Sequence, residues 1–198
     1  ARALRNMCLY LLSCSHNTDI QELVEKSAAM QYEKAQNMTE KMGALEAIKN
    51  EPGPLRERLL SSFYDEYQSY PLVVTKWFGL HARSKIPSAI ENIKALMKHP
   101  AFNILTPNHV YALINEFQRG NPDYFHEESK GYDFIADCVI ELDPKNSNVA
   151  AHLVESLLLW KRLTQPQSQW MHSALEKIKS QPVLSNAVLE VVNKALYA

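Results

Sequence analysis

The sequence predicts an all-α fold of about a dozen helices, set as antiparallel neighbours that stack into a solenoid-like superhelical domain. Three observations carry the prediction. Apolar residues recur at three- and four-residue spacing through almost the whole chain, and no alternating apolar–polar run leads into a hairpin turn. Glycine is scarce, at 5, so few positions need the positive φ of tight hairpins. Among 10 prolines, Pro54, Pro71, Pro87, Pro107, Pro122 and Pro166 stand just ahead of an apolar-periodic run, where a missing N–H is no loss.

Residues 71–80, PLVVTKWFGL, are expected to form the buried helix that the others pack against. Val73, Val74, Trp77, Phe78 and Leu80 share one wide arc of a helical wheel, with Thr75, Lys76 and Gly79 opposite. From the start of the chain, helical periodicity is already under way through Leu4, Met7 or Cys8, Leu11 and Leu12, without a capping residue ahead. That is the expectation for a piece of a longer polypeptide. Thr18 and Gln21 form a capping-box pattern for a helix whose stripe runs through Ile20, Leu23, Val24, Ser27, Ala28, Gln31 and Ala35. Asn37 and Glu40 form another, ahead of Met42, Leu45 and Ile48. After the break at 51–54 come Leu55, Leu59, Phe63, Tyr64 and Tyr67, ending before Pro71, since a residue preceding proline is pushed away from helical ψ.

Further on, Ile90, Ile93, Leu96 and Met97 define a helix, and Phe102 is an expected anchor in the connector that follows. Thr106-Pro107 opens the cleanest pattern, with Val110, Leu113, Ile114 and Phe117 at i, i+3, i+4 and i+7. A short turn at Asn121-Pro122 precedes a helix over 132–142, and a longer one is expected over 147–163. Met171, Ala174, Leu175 and Ile178 mark the next, and residues 185–196 close the chain. No strict period repeats, and no linker is long or polar enough to divide the chain, so residues 1–198 are expected to form a single domain.

Composition excludes several classes. Hydrophobic content of 46% and charged content of 22% fit a folded globular protein rather than a disordered one. The net charge of −1 is spread evenly, with no basic stripe to track a phosphate backbone, so no nucleic-acid partner is expected. No apolar run approaches the roughly 20 residues of a membrane span. The three cysteines, Cys8, Cys14 and Cys138, lack CxxC spacing and are expected to be buried, reduced thiols of a cytoplasmic protein.

A catalytic motif is harder to find. His126-Glu127-Glu128-Ser129-Lys130 approaches the His-Glu-x-x-His zinc pattern, but Lys130 stands where the second ligand would be, and a solvated loop is expected. The other histidines show no ligand spacing, and there is neither a phosphate-binding glycine loop nor a nucleophile elbow. Asp65 and Glu66 read as a solvated helix face, and Trp77, Trp160 and Trp170 as core anchors. Lys76 could stack on an aromatic ring, pair with a carboxylate or reach a ligand. From the residues alone, this is a helical domain with no active site of its own.

An ordered series of short motifs adds to that reading. It runs Asn37-Met38-Thr39, Ala44-Leu45, Phe63-Tyr64, then Pro71-Leu72-Val73-Val74 with Lys76-Trp77-Phe78. It continues through His99-Pro100-Ala101-Phe102, Pro107-Asn108, Asn121-Pro122, Phe125-His126 and Gly131-Tyr132. It ends with Leu142-Asp143, Val149-Ala150, Lys194-Ala195-Leu196 and the terminus. In order and spacing the series resembles the C-terminal domain of the bacterial aminopeptidase N family, zinc-dependent metalloproteases (hydrolases) of the gluzincin type. The resemblance implies a four-domain, cytoplasmic enzyme that removes N-terminal residues from peptides. Its zinc helix and amine-binding motif lie in a catalytic domain, and neither pattern occurs in these residues. Zinc is thus expected in the parent enzyme, and this chain is expected to need no metal or cofactor and to be inactive alone. Its implied partners are the catalytic domain of the same polypeptide and the peptide substrates. Its implied role is a lid that encloses a chamber and restricts substrate access.

The resemblance also implies substrate-facing positions. Relatives carry a Gln and an Arg one helical turn apart where this chain has Asn148 and His152, and often carry arginines where it has His109 and Tyr111. The departures remove permanent positive charge that could hold a peptide carboxylate. Asn148 can still hydrogen-bond, and His152 can be cationic at lower pH. The competing expectation is that these positions merely line a wet interior. An alternative from another class is a free-standing helical scaffold that binds a protein or peptide in its concave face.

Overall fold

A computed structural model describes residues 2–197, and every regular element among them is a helix. Ala1 and the terminal Ala198, last member of the motif series, lie outside the described residues. The helices group into two compact units, one ending at Pro87 and the other beginning at Ser88. Among the described residues no helix is long and apolar enough to cross a membrane.

The first unit holds α1 (Arg2–Ser13), α2 (Thr18–Glu33), α3 (Met38–Ile48), α4 (Pro54–Tyr67) and α5 (Pro71–Ala82). Asn17, not Thr18, caps α2, its side-chain oxygen accepting from the N–H of Ile20 at 3.2 Å. Asn37 caps α3 in the same way at 3.1 Å, and Glu40 reaches back to the N–H of Gln36 at 3.0 Å. Helices α1, α2 and α3 pack on one another through small side chains, Ala28 and Ala44 being fully buried. Gln31 and Asn6 stitch them together: Gln31 donates to Asn6 Oδ1 at 3.0 Å and to the Glu40 carbonyl at 2.9 Å, and Asn6 donates to the Thr39 carbonyl at 2.9 Å.

Pro71 occupies the first turn of α5, as its position implies. Val74, Trp77, Phe78 and Leu80 are buried, and the Trp77 indole N–H donates to the Leu60 carbonyl of α4 at 3.0 Å. Gly79, expected on the open side, is buried as well, so the buried arc is wider than the pattern implied. A buried polar network holds the end of α5. Arg56 Nε donates to the Lys49 carbonyl at 2.8 Å, Arg56 Nη2 to Ser84 Oγ at 3.2 Å, and Ser84 Oγ to that same carbonyl. Burial pushes the Glu46 carboxyl up, but Lys49 at 3.0 Å and Arg83 outweigh it and hold it below the usual carboxylate range.

α1 departs from its expected stripe. Leu9 is its one buried residue, while Leu4, Met7, Leu11 and Leu12 are exposed. In α2, Leu23 is exposed and Tyr32 is buried. Cys8 and Cys14 are exposed, and only Cys138 is a buried thiol.

The second unit holds α6 (Ala89–Leu96), α7 (Pro107–Val110), α8 (Glu116–Gly120), α9 (Pro122–Phe125), α10 (Lys130–Leu142), α11 (Ser147–Val154), α12 (Gln167–Lys179) and α13 (Asn186–Tyr197). Helix α10 packs on α11 and α12, and α13 on α11 and α12. Phe117 meets Phe125 and Phe134 edge-on, each at 6.0 Å, and Phe125 meets Tyr132 at 5.2 Å, the arrangement that ring quadrupoles favour. Gly131 lets α10 begin against α9: a Cβ there would lie 2.2 Å from the Phe125 carbonyl oxygen. The Leu-Asp motif has a structural reason. Asp143 is buried and accepts from the N–H of Ser185 at 2.9 Å and from its hydroxyl, while Ser185 Oγ caps Val188 at the start of α13 at 3.2 Å.

Two helices that look uniform in sequence are not. The segment over 107–120 is α7 and α8 joined by a π-helical turn, Tyr111–Asn115. The segment expected over 147–163 is α11 followed by a 3₁₀ stretch, Glu155–Arg162. Trp160 is half-buried rather than a core anchor, donating to the Ala195 carbonyl at 2.9 Å and lying against the His172 ring at 4.7 Å.

Candidate functional site

Both irregular helices carry the candidate side chains. Tyr111 is the first residue of the π turn, and its ring meets that of His152 edge-on at 5.3 Å. His152 lies in the last turn of α11, just before the backbone tightens to 3₁₀. Its Nδ1 lies 3.1 Å from Glu155 Oε2, an i, i+3 pair, and both groups are partly open to solvent. Asn148 is exposed in the first turn of α11, one turn before His152. Asn146 sets that turn by capping the Val149 N–H at 3.2 Å. The structure therefore brings Tyr111 and His152 into contact and leaves Asn148 one helical turn before His152 on α11.

His109 does something different. Its Nδ1 accepts the N–H of Asn103 at 3.0 Å, and its ring lies 6.0 Å from Phe102, so it braces the connector ahead of α7. Burial lowers its pKa, which suits a nitrogen that must stay unprotonated to accept that bond. The connector forms one wall of a cleft of about 680 Å³, whose other walls come from α6 and α10. Sequence reasoning missed this cleft and missed Glu155. Glu155 carries only an i, i+3 signal, and the cleft is built from three separated segments with no local pattern.

The near-zinc motif is not simply a solvated loop. Glu127 and Glu128 are exposed, and Glu128 pairs with Lys130 at 3.0 Å. His126, however, is half-buried between Phe125 and Tyr132, with its Nδ1 2.6 Å from the Tyr132 hydroxyl. Burial pushes that hydroxyl up to about 12 and lowers the pKa of the imidazole, so the hydrogen bond joins two neutral groups. Among the described residues no three His, Cys, Asp or Glu side chains converge to hold a metal ion. The zinc implied by the resemblance has no fitting donor set among them. Lys76 is exposed, on the rim of a groove of about 600 Å³ in the first unit, beside Met7, Tyr10 and Met42.

Comparison with known proteins bears on the chain as a whole. One family, described as a domain of unknown function (DUF3458_C) with ARM repeats, matches residues 1–197. The chain belongs to this family. ARM repeats are stacked helical units, in keeping with the all-α build of this DUF3458_C chain. Curated relatives include aminopeptidase N of Caulobacter vibrioides, 39% identical over 98% of this chain, and aminopeptidase N of Escherichia coli, 34% identical over 98%. In both cases the match takes in only 22% of the relative's length. A solved structure of Legionella pneumophila aminopeptidase A in complex with aspartic acid superposes with a TM-score of 0.89 at 32% identity, covering 98% of this chain and 23% of that one. This DUF3458_C chain is kin to the C-terminal domain of aminopeptidase N.

Proposed function

We propose that the chain is the chamber-forming C-terminal domain of a cytoplasmic zinc aminopeptidase that removes N-terminal residues from peptides. The end-to-end match carries the reading: 98% of this chain corresponds to a domain-sized 22% of aminopeptidase N. In this reading the zinc and the side chains that would hold it belong to the catalytic domain of the same polypeptide, where the metal would supply an activated water. The chain supplies walls. The Tyr111 and His152 rings, with the Asn148 amide one turn away, offer hydrogen-bond donors and an aromatic edge to the distal part of a peptide. Glu155 orients His152 through Nδ1 and leaves Nε2 directed elsewhere. His109 holds the neighbouring connector in place rather than touching substrate.

The test uses the full-length enzyme carrying Asn148→Ala and His152→Ala together. KM for tetrapeptides is expected to rise by about three- to tenfold, the worth of one or two hydrogen bonds. Alanyl-p-nitroanilide, too short to reach the walls, should keep its kcat and KM. Equal effects on long and short substrates, or none on either, would remove these residues from substrate contact. Hydrolysis of alanyl-p-nitroanilide by the purified 198-residue chain alone would overturn the lid assignment.

A further inference from the structure

The cleft braced by His109 has an unbalanced charge distribution. Met97, Phe102, Ile104 and Phe134 give it an apolar lining, and Cys138 lies at its base with its thiol pushed up by burial and so uncharged. On one wall, Lys94 Nζ stands 5.8 Å from the centre of the Phe134 ring, and Lys98 follows one helical turn later. Neither ammonium has an ion-pair partner among the described residues. The acids of the opposite wall are already compensated: Asp137 pairs with Lys177 at 2.6 Å and Glu141 with Lys145 at 2.8 Å. The cleft thus presents two uncompensated positive charges beside an apolar floor, which favours an anion carrying an apolar body.

The walls are also held in place. The connector is fixed by Phe102 N–H to the His99 carbonyl at 2.8 Å, Ala101 N–H to His99 Nδ1 at 3.2 Å, and Leu105 N–H to Asn103 Oδ1 at 2.8 Å. With the His109 brace, these bonds order the wall before any ligand arrives, which lowers the entropic cost of binding.

We propose that this cleft binds the carboxyl terminus of a short peptide ending in a large apolar residue. The carboxylate sits at Lys94 and Lys98, and the apolar side chain lies on Phe134 and Phe102. Asp137 and Glu141, whose oxygens accept hydrogen bonds, meet the peptide N–H groups, which a fatty acid lacks. Binding here requires no parent enzyme, so its test is independent of the chamber reading.

The intact chain is titrated, by NMR shift mapping and calorimetry, with an N-acetylated tetrapeptide ending in leucyl-phenylalanine, as the free acid and as the C-terminal amide. The acid is expected to bind about tenfold more tightly, a difference of about 1.4 kcal/mol. Lys94→Gln with Lys98→Gln is expected to erase that preference without moving Tm, because both side chains are exposed. Equal binding of acid and amide, or no saturation at millimolar peptide, would overturn the proposal. Dodecanoate binding more tightly than the acid peptide, with the same lysine dependence, would overturn the peptide assignment in favour of a lipid.

Discussion

Helix α5 and the Tyr111–His152 face are both built from helices, yet they put their sequences to opposite use. In α5 the backbone is regular, Phe78 is fully buried, and even the polar atom of Trp77 is spent on the Leu60 carbonyl. At the Tyr111–His152 face the backbone leaves α geometry twice, through the π turn and the 3₁₀ stretch, and the side chains are half-buried and polar. π turns and mid-helix 3₁₀ segments cost hydrogen-bond quality, and they persist where the rest of the unit is stable enough to carry them. In the second unit that support comes from the aromatic cluster around Phe117 and from the Asp143–Ser185 clamp. The difference teaches that, in the proposed reading, the stretch that holds the first unit together and the stretch offered to substrate are built by opposite means.

The largest expected effect tests the α5 side of this contrast. Trp77→Ala removes a nearly buried indole packed on Tyr64 at 4.9 Å and on Phe78 at 5.3 Å, together with its hydrogen bond to the Leu60 carbonyl. Urea unfolding should show a loss of about 3–5 kcal/mol. A loss under about 1 kcal/mol would mean that the site collapses around the gap and that α5 is not the hub of its unit.

What the sequence made legible follows the same division. The α5 start was readable because Pro71 has a local reason to be there, and the capping at Asn37 because one side chain and one spacing suffice. The π turn was invisible because Val110, Leu113, Ile114 and Phe117 are all buried despite it, so the apolar spacing reads as an unbroken α-helix. The outward face of α1 was misread because Leu4 and Leu11 are as apolar as any core residue, and pattern alone cannot say which face has a partner. The cleft was beyond local reading, since Lys94, Phe102 and Cys138 come from three segments that only the folded unit brings together.

A second test separates the two regions by pH. His109 and His126 are both held neutral by burial, so their folded pKa values lie below the ordinary value near 6.5. The unfolded chain therefore binds protons more readily than the folded one as the pH falls. Their contribution is fully present above about pH 6.5 and is lost progressively as the pH drops through the folded values. Stability of the second unit should begin to fall as the pH drops below about 6.5, above the range where most carboxylates titrate. Replacing both residues with Asn, whose side-chain oxygen can accept in place of Nδ1, should flatten that slope. An unchanged slope would place the sensitivity in other groups.

The smallest expected effect is the most informative about the candidate face. His152→Ala removes a partly exposed polar contact with Glu155 and one ring contact with Tyr111. Exposed pairs of this kind contribute a few tenths of a kcal/mol, and the half-buried ring adds modest packing, so unfolding should shift by less than about 1 kcal/mol. If the loss instead approaches that of Trp77→Ala, His152 is a structural pin for the junction between α11 and the 3₁₀ stretch. Its position beside Tyr111 then needs no substrate to explain it. A small loss leaves the irregular backbone without a packing reason for these side chains, and the case for a chamber wall is stronger for it.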